Sequence, residues 1–227
     1  MTMHRYKSMA LAVTLAASAS ASHAVDLLNE GFNNVAGLAG SGWVLANAST
    51  PTAVGAGWFQ GNDALFISQA GADNAYVASN FAIVNGPGGA GDALARLSTP
   101  VLDLTQAATL TFWTRTEEGS AFADRLNVFL DVTGGPSNQL LTINPALAVG
   151  VYPEGWTLVT AGISAMGAGA TGRIVFEYNV PDTSINGNYI GIDSVVVTQV
   201  PEPTTWALMG LGLAAMAARI GRRRATA

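Results

Sequence analysis

A chain of 227 residues that is 49% hydrophobic and 11% charged is long enough to bury one sizeable core, and with no cysteine it has no disulfide framework to support it. Its net charge of −5 excludes nucleic acid as a partner, because neutralising phosphates needs a Lys/Arg patch that the central part of the chain lacks. Cations and uncharged ligands such as sugars fit that balance better.

Residues 1–24 read as a signal peptide. Arg5 and Lys7 form a basic start, 9–17 (MALAVTLAA) a short apolar stretch, and Ser22-His23-Ala24 ends in the small residues that a signal peptidase requires. A membrane anchor would need about 20 apolar residues, and this stretch falls well short. Removal of the segment takes away His4, His23 and Lys7, so the body at 25–200 has no His, Cys or Lys. Four arginines remain there (Arg96, Arg115, Arg125, Arg173) against nine Asp and five Glu, a net charge of −10. Ser-His-Asp and Cys-His catalysis are thereby excluded for the body, as is a His-ligated catalytic zinc.

The body predicts strands. The clearest alternation of apolar and polar residues runs through 109–116 (TLTFWTRT), 125–132 (RLNVFLDV), 173–180 (RIVFEYNV) and 189–200 (YIGIDSVVVTQV). Weaker patterns lie at 25–32, 42–46, 56–60, 64–68, 75–79, 96–104 and 156–163. Short strands with a turn signal about every ten residues predict an all-β fold, a two-sheet sandwich of jelly-roll type. The stretch 86–91 (GPGGAG) matches the glycine spacing of a dinucleotide loop, but Pro100 and a strand pattern follow it where that loop needs a helix.

After 200 the composition changes. Pro201 and Pro203 stop the last strand, Thr204 and Thr205 can cap a helix, and 206–218 is uninterrupted apolar sequence before Arg219, Arg222, Arg223 and Arg224. Those apolar residues span only about 20 Å as a helix, against a hydrocarbon core of about 30 Å. Counting 204–221 gives about 27 Å, a marginal membrane helix whose arginines stay cytoplasmic.

Pro201-Glu202-Pro203, a short apolar helix and Arg222-Arg223-Arg224, in that order over 200–227, resemble the PEP-CTERM sorting signal of exported bacterial proteins. The resemblance implies recognition by an exosortase-type protease, an inner-membrane sorting intermediate held by the tail helix, and delivery to the outer envelope or extracellular matrix. The body at 25–200 resembles the choice-of-anchor J domain, related to cleaved-adhesin and MAM-like sandwiches. The resemblance is carried by 57–62 (GWFQGN), 66–81 (FISQAGADNAYVASNF), 97–104 (LSTPVLDL), 110–115 (LTFWTR), 124–126 (DRL) and 188–193 (NYIGID). It implies a sandwich with no shared enzymatic activity.

It also implies a metal expectation. Glu30, on the first strand, and Asp193, on the last, sit on segments that related sandwiches place side by side, where a structural Ca²⁺ is held by carboxylates and carbonyls. Asn33 and Asn34 would add oxygens toward the six to eight that Ca²⁺ takes. Asn62-Asp63 and Asp73-Asn74 read instead as turn residues. Among the aromatics, Trp43, Trp113, Trp156, Tyr76 and Tyr189 are expected mainly in the interior. Trp58 and Phe59, between Gly57 and Gln60, are the expected ligand-stacking pair.

These residues point to a non-catalytic envelope protein, a structural or adhesive component of the cell surface or exopolysaccharide matrix, with polysaccharide or matrix proteins as partners. Two alternatives stay open. One is a specific carbohydrate-binding module. The other is a glycoside hydrolase working with carboxylates alone, for which Glu117, Glu118 and Glu177 are the candidates.

Overall fold

The computed structural model describes residues 24–200 and positions 209, 210, 212, 213 and 216. The signal peptide up to His23 and the sorting-signal residues Pro201, Glu202, Pro203, Arg222, Arg223 and Arg224 lie outside the described residues. The five described tail positions are helical. No helix among the described residues is long and apolar enough to cross a membrane, and most of the expected span at 204–221 is not among them.

Ala24–Pro201 forms one compact unit. Twelve strands among the described residues build two antiparallel sheets. In the first the order is β10 (Thr157–Ile163), β7 (Ala108–Thr116), β12 (Tyr189–Gln199), β4 (Val77–Asn80) and β3 (Phe59–Gln60), and β1 (Asp26–Glu30) pairs with β12 beyond the end of β4. The second runs β2 (Val44–Asn47), β5 (Ala93–Ser98), β11 (Thr171–Val180), β8 (Leu126–Val132) and β9 (Ser137–Ile143), with β6 (Leu102–Asp103) on β11. The fold is thus the expected two-sheet β-sandwich.

Alternation decides what lies between the sheets, since successive side chains of a strand point to opposite faces. Leu110 and Phe112 of β7 and Ile190 and Ile192 of β12 face Ile174, Phe176 and Tyr178 of β11 and Leu126, Val128 and Leu130 of β8. Phe112 and Phe176 meet edge to face across the gap, 5.1 Å between ring centres. Each such fully buried side chain contributes about 1.5–3 kcal/mol.

Two expected strands differ, and one strand lies outside those expected. The stretch 96–104 is two strands, β5 and β6, because Pro100 cannot donate to a ladder and breaks the run. Residues 64–68 form no strand: Phe66 turns down onto the first sheet instead of pairing beside it. The strand β9 went unseen because Ser137–Gln139 is polar and exposed, as an outer edge strand can be. The glycine run at 86–91 holds only the three-residue 3-10 turn Pro87–Gly89.

Behind the first sheet lies a second, smaller cluster. The loop joining β3 to β4 folds across the outer face and sets Phe66 against Tyr76, Tyr189 and Trp156, with ring centres 4.9, 5.5 and 5.6 Å away. Arg115 sits 4.4 Å from the centre of the Phe66 ring, within cation–π range. The loop therefore covers part of this outer face, while Leu158 of β10 stays half-exposed on it.

Between β7, β12 and the loop before β8 lies a buried polar node. Asp124 Oδ1 accepts from Tyr178 Oη (2.7 Å) and Asn188 N (2.8 Å), and Thr116 Oγ1 lies 2.7 Å from Asp124 Oδ2. The same Thr116 hydroxyl is 2.9 Å from the Tyr189 carbonyl. One hydroxyl hydrogen cannot serve both oxygens. A proton on Asp124 Oδ2, donated to Thr116, frees the Thr116 hydrogen for the carbonyl and satisfies every group. Burial agrees, raising the Asp124 carboxyl above its ordinary range against the opposing pull of its donors.

Candidate functional site

The expected stacking pair does not form an exposed platform. Trp58 is 2% exposed and belongs to the main core, because the residue after Gly57 points inward as the chain enters β3. Its indole N–H has no partner there. Phe59 is half-buried and packs on the other side of the strand, 6.0 Å from the Tyr189 ring. The two rings thus face opposite ways, which corrects the expectation that both contact a ligand.

The segments bearing Glu30 and Asp193 do lie side by side: β1 pairs with β12, with Glu30 opposite Val195. Their carboxylates are used separately. Glu30 Oε1 accepts from Phe32 N at 2.7 Å and holds a turn in which Phe32, fully buried, takes a left-handed φ of 55°. Asp193 is also fully buried. Its Oδ2 accepts from Ser68 Oγ (2.6 Å) and Gln69 N (2.8 Å), and Oδ1 from Ser194 N (2.6 Å). A bulge with Ser194 at φ 50° falls there, in the gap along β12 between the stretches paired with β4 and β1. Asp193 therefore ties the covering loop to the sheet. Asn33 Oδ1 accepts from Ala75 N (2.7 Å), and Asn34 caps the 3-10 helix Val35–Ser41. Among the described residues no three His, Cys, Asp or Glu converge as a metal cluster. The pair Glu30 and Asp193 does not fit a shared calcium cage.

Of the candidate acids for glycoside hydrolysis, the adjacent Glu117 and Glu118 follow one sheet and Glu177 lies on the other. Glu117 follows β7 of the first sheet and accepts from Asn188 Nδ2 at 2.9 Å. Glu177 lies mid-strand on the outer face of the second sheet, only 4% exposed. Burial alone would raise its carboxyl, but hydrogen bonds from Asn179, Arg96 and Asn127 outweigh it and hold it below the usual range. An acid so held is ionised at neutral pH and suits an anchor better than a proton donor.

Glu177 centres an arrangement that no single segment announces. Strand register sets Arg96 (β5), Glu177 (β11), Asn127 (β8) and Thr142 (β9) in one row across four strands. The row is bonded along its length. Arg96 Nε and Nη2 meet Glu177 Oε2 at 2.8 and 2.7 Å, Asn127 Nδ2 donates to Glu177 Oε1 (3.2 Å), and Thr142 Oγ1 donates to Asn127 Oδ1 (2.9 Å). Gln139 extends it by donating to Thr142 Oγ1. The neighbouring row is mostly apolar: Val44, Ser98, Val175 and Phe129. The alternation of 125–132 sets Asn127 and Phe129 on the side opposite Leu126, Val128 and Leu130. What the sequence lacked was the register that aligns them with Arg96 and Thr142.

A search against protein-family models matches residues 199–224 to the PEP-CTERM protein-sorting motif. It implies an exported surface protein processed by an exosortase-type protease. No curated protein matches the chain. Among solved structures, the K1 cleaved adhesin domain of Lys-gingipain from Porphyromonas gingivalis W83 is similar at 21% identity and TM-score 0.56, covering 79% of this chain and 100% of that domain. The K2 cleaved adhesin domain of the same Lys-gingipain is similar at 18% identity and TM-score 0.54, covering 76% and 98%. The body thus shares its sandwich fold with cleaved adhesin domains.

Proposed function

We propose that the protein is a non-catalytic structural or adhesive component of the cell surface or exopolysaccharide matrix, built on a choice-of-anchor J-like sandwich. The observation that carries this reading is a PEP-CTERM motif at 199–224 joined to a body without a single His, Cys or Lys. The sorting motif supplies an address at the envelope, and the body's inventory leaves only carboxylates for chemistry. Of the candidate acids, Glu117 and Glu177 are engaged in hydrogen bonds on different sheets. Mixed with exopolysaccharide from its host, the protein is expected to sediment with the polymer and leave the number of reducing ends constant. A rise in reducing ends would identify a hydrolase and overturn the reading.

A weak structural Ca²⁺ site belongs to the same proposal through Glu30 alone. With Asn33, Asn34 and Ser41 it lines a hollow of about 270 Å³. One carboxylate with amide and hydroxyl oxygens makes a low-charge site of the millimolar class known from extracellular modules. Millimolar Ca²⁺ should then raise the melting temperature of the wild-type protein and not that of Glu30→Gln, because a metal bound only to the folded state stabilises it. Equal melting with Ca²⁺ and with chelator would remove the metal from the account.

A further inference from the structure

We propose that the outer face of the second sheet is a binding site for a neutral, hydroxyl-rich polysaccharide, with Arg96, Asn127, Thr142 and Gln139 addressing hydroxyls and Phe129 packing on sugar rings. This rests on the reading that the protein is a surface component, and it names the class of polymer held and the place that holds it.

Three features support it. The first is openness and length. This face leaves 53% of the Arg96 side chain and 47% of Val44 accessible. Adjacent strands lie about 4.8 Å apart, so the four-strand row is about 14 Å long, room for an oligosaccharide rather than one sugar.

The second is chemistry. A pyranose ring has a rim of hydroxyls and a flat C–H face, and it needs planar polar groups beside an apolar floor. The row of amides, guanidinium and hydroxyl supplies the first, and the exposed Val44 and half-buried Phe129 supply the second, with Val175 buried between them. The polar groups are already held by one another, so little freedom is lost on binding. They also keep capacity for a ligand. Arg96 spends Nε and one Nη on Glu177, and the other guanidinium hydrogens remain, as do lone pairs on Asn127 and Gln139.

The third is charge. Of the body's four arginines, Arg96, Arg125 and Arg173 lie on this face, where Asp103, Asp131 and Glu177 balance them. Asp92, bridged to Thr50 in the same register as β2 and β5, adds a fourth carboxylate at the edge of this face, which therefore holds three of the body's four arginines and four of its fourteen acids. A nearly balanced face on a body of net charge −10 favours an uncharged polymer and repels a polyanion.

The test is a binding titration of the full-length chain with cello-, xylo- and manno-oligosaccharides in one arm and oligouronates in the other. At least one neutral series should bind, and Phe129→Ala and Asn127→Ala should each weaken it roughly tenfold, the loss expected for a contact at the centre of a site. Melting temperatures are to be measured alongside, and if either variant fails to fold, Thr142→Val serves in its place at the half-exposed end of the row. No neutral binding, binding to oligouronates alone, or neutral binding untouched by the variants would each overturn the proposal. A chain that is sorted and processed yet binds no neutral glycan would sink this inference alone, whereas a chain left unprocessed beside an active exosortase would sink the sorting reading beneath it.

Discussion

At the scale of single residues, two buried aspartates have different tasks. Asp193 is the fastener of the loop that covers the first sheet, accepting three short hydrogen bonds. Asp193→Ala leaves those donors without partners in a buried place, and each unsatisfied group costs about 1–3 kcal/mol. A loss of about 2–4 kcal/mol is expected by urea unfolding, with faster amide exchange at Gln69. Asp124 titrates in the opposite sense from a salt-bridged carboxylate. Its raised folded value means that the native state holds a proton which the unfolded chain has released. Its contribution is therefore greatest at acid pH and is lost as pH rises from the ordinary carboxylate range toward the folded value, with a limiting slope of about 1.4 kcal/mol per pH unit. The stability difference between wild type and Asp124→Asn should shrink over that interval. A pH-independent difference would show that Asp124 is already ionised in the native state.

At the scale of elements, alternation was the legible signal and register was not. The inward sets Leu110/Phe112, Leu126/Val128/Leu130 and Ile174/Phe176/Tyr178 were readable because half-buried strands repeat every two residues. The covering loop was not, since Phe66 and Ser68 mimic a strand while packing across one. The glycine opposite Phe66 was equally silent. A Cβ on Gly191 would stand 2.9 Å from Phe66 and Tyr76 and 3.0 Å from Trp156, whereas one on Gly162 of β10 would meet nothing. Gly191→Ala should cost about 1–3 kcal/mol by overpacking, and Gly162→Ala close to nothing, in paired thermal unfolding. The same gap explains the missed polar row. Arg96, Asn127, Glu177 and Thr142 come from four strands, and only pairing shows that they line up. Trp58 misled for a related reason: Gly and Gln neighbours suggested exposure, while the pleat turned the indole inward.

At the scale of the whole molecule, the two ends and the body answer different questions. Composition alone limited the body's chemistry, because residues 25–200 contain no His, Cys or Lys. The body relies on apolar burial between two sheets, and a loop covers part of one outer face. The tail sets the address, and the match at 199–224 is the part of the chain that ties it to a cellular process. The measurement that tests this most directly is the intact mass of the protein recovered from the envelope of an exosortase-positive host and from the same host lacking the protease. The expected product from the first has lost residues 1–24 and is cut near Pro201–Pro203, while the second yields the full tail. The same uncut tail in both hosts would contradict the account.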